Sequence, residues 1–172
     1  MTVEVRSEGN VLVIERSFPA SVSAVFEAFS ESEKLESWWG PKGWRTENKA
    51  FSFREGGMWH YCMTCIDPAQ GDFFNQTSWG KAVYKKITAN ERIVYRDAFS
   101  DEEGNVLLDM PEIEITMTFT PQKEGTLVIT RSQFDSKEEL AQVMAMGITE
   151  GVASQYSRLE EFLLQHSSSQ KA

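Results

Sequence analysis

Hydrophobic and polar residues alternate with a period of two in some stretches of the chain and with a helical period in others. Alternation over Val11–Phe18 predicts a first strand, preceded by a short paired arm. The next apolar residues recur at helical spacing and predict a short helix; they are Val22, Val25, Phe26 and Phe29. Ser21 is placed to cap this helix. A second short helix is predicted to start at Ser30, which has capping-box spacing to Glu33. Its apolar face is formed by Leu35, Trp38 and Trp39, and Gly40 and Pro41 end it.

Turn-forming residues divide the stretch over residues 44–133 into six predicted strands. The clearest strand spans residues 112–120, in which one face is apolar and the other is polar. Because such a sheet buries only one face, it needs an apolar element to cover it. The longest interruption, residues 67–77, contains Phe73 and Phe74 among polar residues. These two rings are predicted to form a mobile lid, a dimer contact or a piece of the core.

One long final helix is predicted to cover the sheet. It begins after Ser136, which has capping-box spacing to Glu139, and its apolar stripe continues for about seven turns. Gly147 and Gly151 lie one turn apart on that stripe, and each costs roughly 1 kcal/mol relative to Ala. Close packing against a strand is the simpler explanation for the two glycines, and space for a bound molecule is the alternative.

Length, composition and charge narrow the class of protein. The 172 residues are 41% hydrophobic and 25% charged, which predicts one domain over residues 1–165 and a disordered polar tail over residues 166–172. No apolar run approaches the roughly 20 residues that span a bilayer, and the N-terminal residues do not resemble an export signal. We therefore expect a cytoplasmic protein. A formal charge of −9 opposes binding to nucleic acid or to anionic membranes.

Cys62 and Cys65 have a spacing that superficially resembles a redox or metal-binding pair. The surrounding residues alternate like a strand, so side chains three positions apart point to opposite faces. We therefore expect ordinary strand cysteines rather than a disulfide or a metal site.

Candidate catalytic residues are few. His60 is the only histidine outside the tail, and no nucleophile and base are recognisably spaced around it. Arg96 and Asp97 are consecutive in a strand, so their side chains point to opposite faces and do not form a working pair. Glu112 and Glu114 share the polar face of their strand, which predicts that they are solvated. We expect no catalytic residue, no metal site and no cofactor.

Arg131 is the charged residue that the pattern places in the interior. Alternation puts it on the same face as Leu127 and Ile129. Because a buried cation needs a carboxylate or an anionic ligand group, we expect Arg131 to act as a polar anchor.

The order of predicted elements and three motifs resemble the bacterial homologues of the heat-shock-protein-90 ATPase activator. These proteins belong to the START-like (SRPBCC) superfamily, which is related to birch pollen allergen. The motifs are Trp38-Trp39-Gly40-Pro41, Gly56-Gly57-Met58-Trp59 and Glu91-Arg92-Ile93-Val94-Tyr95. The resemblance covers residues 11–164. It implies an α+β helix-grip fold, in which a curved seven-stranded antiparallel sheet wraps around the C-terminal helix and two short helices close one end. The superfamily commonly encloses an apolar cavity.

The chain departs from this family in two ways. Many members place a Gly-Trp pair in the final helix, where this sequence has Gly151 and Val152. Replacing the indole by an isopropyl group should enlarge the cavity or let Tyr156 fill it. The eukaryotic activator also engages its chaperone through a separate N-terminal domain, for which this chain has no room. A co-chaperone role is therefore not expected.

The cavity implied by the fold has candidate walls, although each of these residues alone is more simply explained as core. Alternation places Trp59, Tyr61 and Met63 together on the inner face of their strand. The complete set of expected ligand-binding residues is Trp38, Trp39, Trp59, Tyr61, Met63, Met117, Phe119, Arg131, Met144, Ile148, Val152 and Tyr156. Aromatic rings and methionines suit a planar apolar ligand.

These observations favour the binding or carriage of a small apolar, aromatic or lipid-like molecule by a possible homodimer. A cyclase or hydrolase acting in the same cavity is the first alternative, and it requires polar groups that converge inside. A co-chaperone-like protein-interaction module is the second alternative.

Overall fold

The computed structural model describes the backbone of residues 3–170 and the side chains of residues 3–166. Its strands are β1 (Glu4–Glu8), β2 (Val11–Phe18), β3 (Trp44–Phe51), β4 (Met58–Cys65), β5 (Thr77–Thr88), β6 (Arg92–Phe99), β7 (Glu112–Gln122) and β8 (Gly125–Gln133). Its helices are α1 (Val22–Ser30), α2 (Ser32–Trp38), α3 (Lys137–Ala145) and α4 (Ile148–Gln170). A 3₁₀ segment, Pro68–Phe73, lies between β4 and β5. The prediction of a disordered tail over residues 166–172 falls mostly outside the described side chains, and the predicted domain limits stay a prediction.

The strands form one antiparallel sheet in the order β1-β2-β8-β7-β6-β5-β4-β3. This arrangement confirms the α+β helix-grip fold, including the two short helices after β2. The sheet has eight strands rather than seven because the predicted N-terminal arm is itself a full edge strand, β1, paired with β2. Register shifts between Asn48 and Ala50 and between Tyr84 and Lys86 interrupt the ladders. Such bulges bend strands and increase their twist, which favours a curved sheet.

The helices bury apolar side chains against the inner face of the sheet. Ser21 and Ser136 cap α1 and α3 as predicted, since their hydroxyl oxygens accept hydrogen bonds from the backbone amides of Ala24 and Glu139 at 3.2 and 3.1 Å. Among the described side chains of α4, the buried ones are Tyr156, Leu159, Phe162 and Leu163. Among the described residues, no helix combines the length and the hydrophobicity that crossing a membrane requires.

The predicted continuous final helix is wrong, because the chain turns between α3 and α4. The amide of Met146 donates to the carbonyl oxygen of Gln142 at the end of α3, and Gly147 follows with φ +87°. A left-handed residue ends a helix, and glycine adopts this conformation without a steric penalty. Gly147 is therefore a helix terminator, whereas Gly151 lies inside α4.

The two glycines are predicted to respond in opposite ways to alanine. Gly147→Ala should lower the free energy of unfolding by about 1–2 kcal/mol, because a residue with a Cβ is strained in the left-handed region. Gly151→Ala should raise it by about 0.5–1 kcal/mol, because alanine is the better helix former. A Cβ at Gly151 also meets no heavy atom within 4 Å. Chemical denaturation of both variants measures these differences, and stabilisation by Gly147→Ala would contradict the helix break.

Candidate functional site

A cavity of about 310 Å³ lies between the inner face of β4–β6 and the first turns of α4. On the sheet side it meets the small residues Ser78 and Gly80, and on the helix side it meets Gly151 and Val152. Because a Cβ added to Gly151 would find open space, α4 does not approach a strand closely at this point. The expectation of close packing around the two glycines is therefore wrong, and Gly151 leaves room inside the fold.

The cavity opens where exposed apolar side chains meet. Phe99 at the end of β6, Met110 before β7 and Met146 between the two last helices all line it and are all exposed, with Met146 at 76%. Methionine side chains adapt to ligands of different shape. This rim therefore suits the entry of an apolar molecule.

Trp39 forms one wall of the cavity, and α4 fixes the backbone that carries it. The Nη1 atom of Arg158 lies 3.1 Å from the carbonyl oxygen of Trp39 and 2.9 Å from those of Gly40 and Trp44. The amide of Gly40 donates to the Oε1 atom of Gln155 at 3.0 Å. Burial lowers the pKa of Arg158, but guanidinium groups stay charged in proteins. A charged donor shared among carbonyl groups holds this turn against the helix.

Asp97 and Tyr61 place a polar pair in the apolar wall. The Tyr61 hydroxyl donates to the Asp97 carboxylate, with distances of 3.1 Å to Oδ1 and 3.4 Å to Oδ2. Tyr61 on β4 lies opposite Gly80 on β5, and a Cβ on Gly80 would come within 2.4 Å of the tyrosine ring. Glycine at position 80 therefore lets Tyr61 cross β5 and reach Asp97 on β6.

Burial raises the pKa of the Asp97 carboxyl from 3.8 to about 7. The hydrogen bonds from Tyr61 and from the backbone amide of Ala98 favour the charged form, but they do not outweigh the loss of solvation. Burial and the charge of Asp97 also raise the pKa of Tyr61, Tyr84 and Tyr95, so these phenols stay neutral near pH 7. Asp97 is half-buried because part of its surface faces the cavity.

Five of the twelve predicted ligand-binding residues line the cavity: Trp39, Tyr61, Met63, Ile148 and Val152. They come from the turn after α2, from β4 and from α4. Tyr156 does not line the cavity; its hydroxyl lies 3.0 Å from Oγ1 of Thr130, and its ring meets Phe18 edge to face. The space at Val152 is therefore not filled by Tyr156.

Four other predicted residues belong to the packed core beside the cavity. Trp38 is fully buried and donates its indole N–H to the carbonyl oxygen of Ala28 at 2.9 Å. Trp59 and Met117 border a space of only about 10 Å³, which is no larger than one water. Phe119 packs edge to face against Phe26 and Phe29. The two adjacent tryptophans thus differ, because Trp38 locks α2 in place while Trp39 faces the cavity.

The predicted interior positions of Arg131 and Met144 are wrong. The Arg131 side chain is 48% exposed and pairs with Glu8 of the edge strand at 3.3 Å. The inner face of β8 instead carries Thr126, Val128 and Thr130, so Arg131 lies on the outer face of the sheet. Met144 is 39% exposed on α3.

Asp97 is the functional candidate that sequence reasoning missed. Alternation along β6 puts it on the face of Ile93 and Tyr95, which are buried. The Arg96 side chain points to the opposite face, as predicted, with its Nε atom 3.4 Å from Oε1 of Glu112. The signal that identifies Asp97 is a lone carboxylate at an inward position of an otherwise apolar strand face.

The remaining candidates lie away from the cavity. His60 is buried on the other face of the sheet, where its Nε2 atom lies 3.1 Å from the carbonyl oxygen of Asp101. Phe73 and Phe74 are exposed and do not line the cavity, so they are not part of the core; their roles as a mobile lid or a dimer contact stay predictions. Cys62 and Cys65 are buried free thiols. Over the described residues, no cluster of metal-ligating side chains occurs.

Comparisons with known proteins give the same fold and identify the family. A family model described as activator of Hsp90 ATPase homolog 1-like protein matches residues 19–163. Protein Ms6760 from Mycobacterium smegmatis is 26% identical, with 94% of this chain and 97% of that chain covered and a TM-score of 0.82. A protein from Staphylococcus epidermidis is 28% identical, with 96% and 95% covered and a TM-score of 0.81. The AHSA1 protein from Silicibacter pomeroyi, at 19% identity, 91% and 99% coverage and a TM-score of 0.69, shares the fold. No curated protein matches the chain.

Asp97→Asn is predicted to stabilise the protein at high pH and to lose this advantage at low pH. The raised pKa means that the folded state binds a proton between about pH 4 and pH 7 more readily than the unfolded state does, so Asp97 weakens folding as the pH rises through this range. A pKa change from 3.8 to about 7 corresponds to roughly 4 kcal/mol at most. Because the carboxyl contacts the open cavity, we expect a gain of about 1–3 kcal/mol at pH 8 that declines toward pH 4.

Urea denaturation of both proteins at pH 8, 6 and 4 measures this difference. Glu112→Gln removes a carboxylate from the exposed face of the same sheet and is the matched control. A constant difference between wild type and Asp97→Asn across the three pH values would contradict a raised pKa.

Proposed function

Because the chain belongs to the activator of Hsp90 ATPase homolog 1-like family, whose fold commonly binds hydrophobic ligands, we propose that it binds or carries a small apolar molecule, aromatic or lipid-like, in the cavity beneath α4. The observation that carries this proposal is the unfilled space of about 310 Å³ at Gly151 and Val152. Pockets for small ligands have volumes of roughly 300–1,000 Å³ and mostly apolar walls. An empty apolar space costs stability, so occupation by an apolar ligand is favourable.

The access route supports binding rather than simple imperfect packing. Phe99, Met110 and Met146 are exposed apolar residues at one place on the surface, and each of them also lines the cavity. An apolar rim that is continuous with an apolar interior lets a ligand transfer without crossing a polar barrier. The held turn at Trp39 keeps the opposite wall in position when the cavity is empty.

Proton-transfer catalysis of the cyclase or hydrolase type is a second candidate, and the Asp97–Tyr61 pair favours it. A carboxyl group whose pKa is about 7 can act as an acid and as a base near neutral pH. Mass spectrometry of a bound ligand after incubation with the protein separates an enzyme from a carrier. Conversion that is lost in Asp97→Asn would support catalysis, whereas unchanged ligand supports carriage.

Filling the cavity is predicted to abolish binding of a neutral aromatic probe. N-phenyl-1-naphthylamine fluoresces more strongly in apolar surroundings and should bind the wild-type protein saturably. Gly151→Leu should weaken this binding at least tenfold, because its side chain enters the open space at that position. Val152→Trp, which restores the bulky side chain common in the family, should act in the same direction.

Ser157→Leu is the matched control, because it adds the same side chain to an exposed position of α4. Thermal unfolding verifies that all three variants are folded. Equal affinity of wild type and Gly151→Leu would show that the probe binds elsewhere, and it would contradict the proposal.

A further inference from the structure

The Asp97 carboxylate faces the cavity without a protein cation. Among the described residues that line the cavity, none is Lys or Arg, and Asp97 forms none of the ion pairs seen in the described part of the chain. Its partners are the Tyr61 hydroxyl and the backbone amide of Ala98. Burying a carboxylate without a cation is unfavourable, because its solvation is lost and no opposite charge replaces it. A ligand that carries a positive charge can therefore supply the counter-charge that the protein does not.

Three aromatic residues line the cavity together with Asp97, and the Tyr61 hydroxyl contacts its carboxylate directly. Trp39, Tyr61 and Phe99 contribute to the same cavity as Asp97. The Tyr61 ring is itself stacked on Trp59, with 4.2 Å between centroids, which limits its motion. Aromatic rings attract cations through their quadrupole and also give large apolar contact areas. A carboxylate among such rings suits a cationic nitrogen that is attached to an apolar body.

We propose that the cavity selects an apolar amine, whose ammonium group pairs with the Asp97 carboxylate while its aromatic or aliphatic body fills the space beside Gly151 and Val152. This inference rests on the proposed function, since it requires that the cavity binds a small molecule. It also specifies which molecules are rejected. A fatty acid or another carboxylate would place a like charge beside Asp97, inside a protein whose formal charge is −9.

The groups that face Asp97 stay uncharged between pH 5 and pH 8, so the ionisation of Asp97 itself controls the affinity for an amine. Tyr61 faces it from β4, Tyr84 from β5 and Tyr95 from its own strand, and the raised pKa values of these phenols keep them neutral between pH 5 and pH 8. The neighbouring strand β7 presents Ile113, and α4 presents uncharged residues to the cavity. Protonation of Asp97 below about pH 7 should therefore weaken the binding of an amine that stays charged over the whole range.

Three probes with one ring system test the proposal: 2-(1-naphthyl)ethylamine, 2-(1-naphthyl)ethanol and 3-(1-naphthyl)propanoic acid. Calorimetric titration of the full chain at pH 8 should give the tightest binding for the amine and the weakest for the acid, with at least a tenfold difference between amine and alcohol. The affinity for the amine should fall at least tenfold from pH 8 to pH 5, and the affinity for the alcohol should change much less.

Two variants identify the group responsible. Asp97→Asn should reduce the ratio of amine to alcohol affinity to near one at pH 8, and its thermal unfolding shows whether it is folded. Glu112→Gln removes an equal charge from the exposed face of the sheet and should keep the wild-type ratio. A general attraction of cations to an acidic protein would lower the ratio equally in both variants, which would overturn the assignment to Asp97.

The remaining outcomes separate this inference from the proposed function. Equal binding of amine and alcohol to the wild-type protein, both weakened by Gly151→Leu, would overturn the amine selectivity and leave the cavity as a binding site. Tighter binding of the acid would also overturn it. Binding of none of the three probes to the wild-type protein would contradict the proposed function and the inference together.

Discussion

The packing of α4 against the inner face of the sheet is the constraint on which the rest of the structure depends. Tyr156, Leu159 and Leu163 fill the space between the helix and the strands in its middle and later turns. The first turns instead carry Gly151 and Val152, and the sheet below them carries Ser78 and Gly80. Because small residues face each other on both sides, the same contact that forms the core in one half of the molecule leaves a cavity in the other half.

The hydrogen bond between Tyr61 and Asp97 in that cavity also depends on a small residue, Gly80. Tyr61 reaches Asp97 only because position 80 has no Cβ. Asp97 lowers the stability of the fold relative to a neutral residue at the same position. Its carboxylate loses solvation, and no lysine or arginine lines the described part of the cavity. Groups that weaken folding in this way are common at functional sites. The proposed binding of a small molecule rests on both the cavity and its carboxylate.

Local patterns in the sequence predicted most of the fold, and the failures have physical causes. The strand that contains Ile113 and Phe119 was recognisable because an alternating face needs no knowledge of distant residues. The break at Gly147 was not recognisable, since the apolar stripe continues across it and only the positive φ separates α3 from α4. Arg131 was misplaced because the inner face of β8 carries Thr126 and Thr130, whose hydroxyl groups contact Ala20 and Tyr156. In that strand hydrogen bonds, rather than hydrophobicity, determine the buried side.

The candidate site was predictable only in part, because alternation shows which face a side chain occupies but not what it contacts. A fold and an alternation are enough to place Tyr61 and Met63 inside. Alternation also places Asp97 on the inner face, but because charged residues are rarely buried, hydrophobicity alone gives no reason to expect a carboxylate there. The most direct test of the account is a ¹³C NMR titration of the Asp97 carboxyl in the ligand-free protein, assigned with Asp97→Asn. A midpoint near pH 7 is predicted for a carboxylate that is desolvated in an apolar cavity. A midpoint near pH 4, the ordinary value for a solvated aspartate, would contradict it.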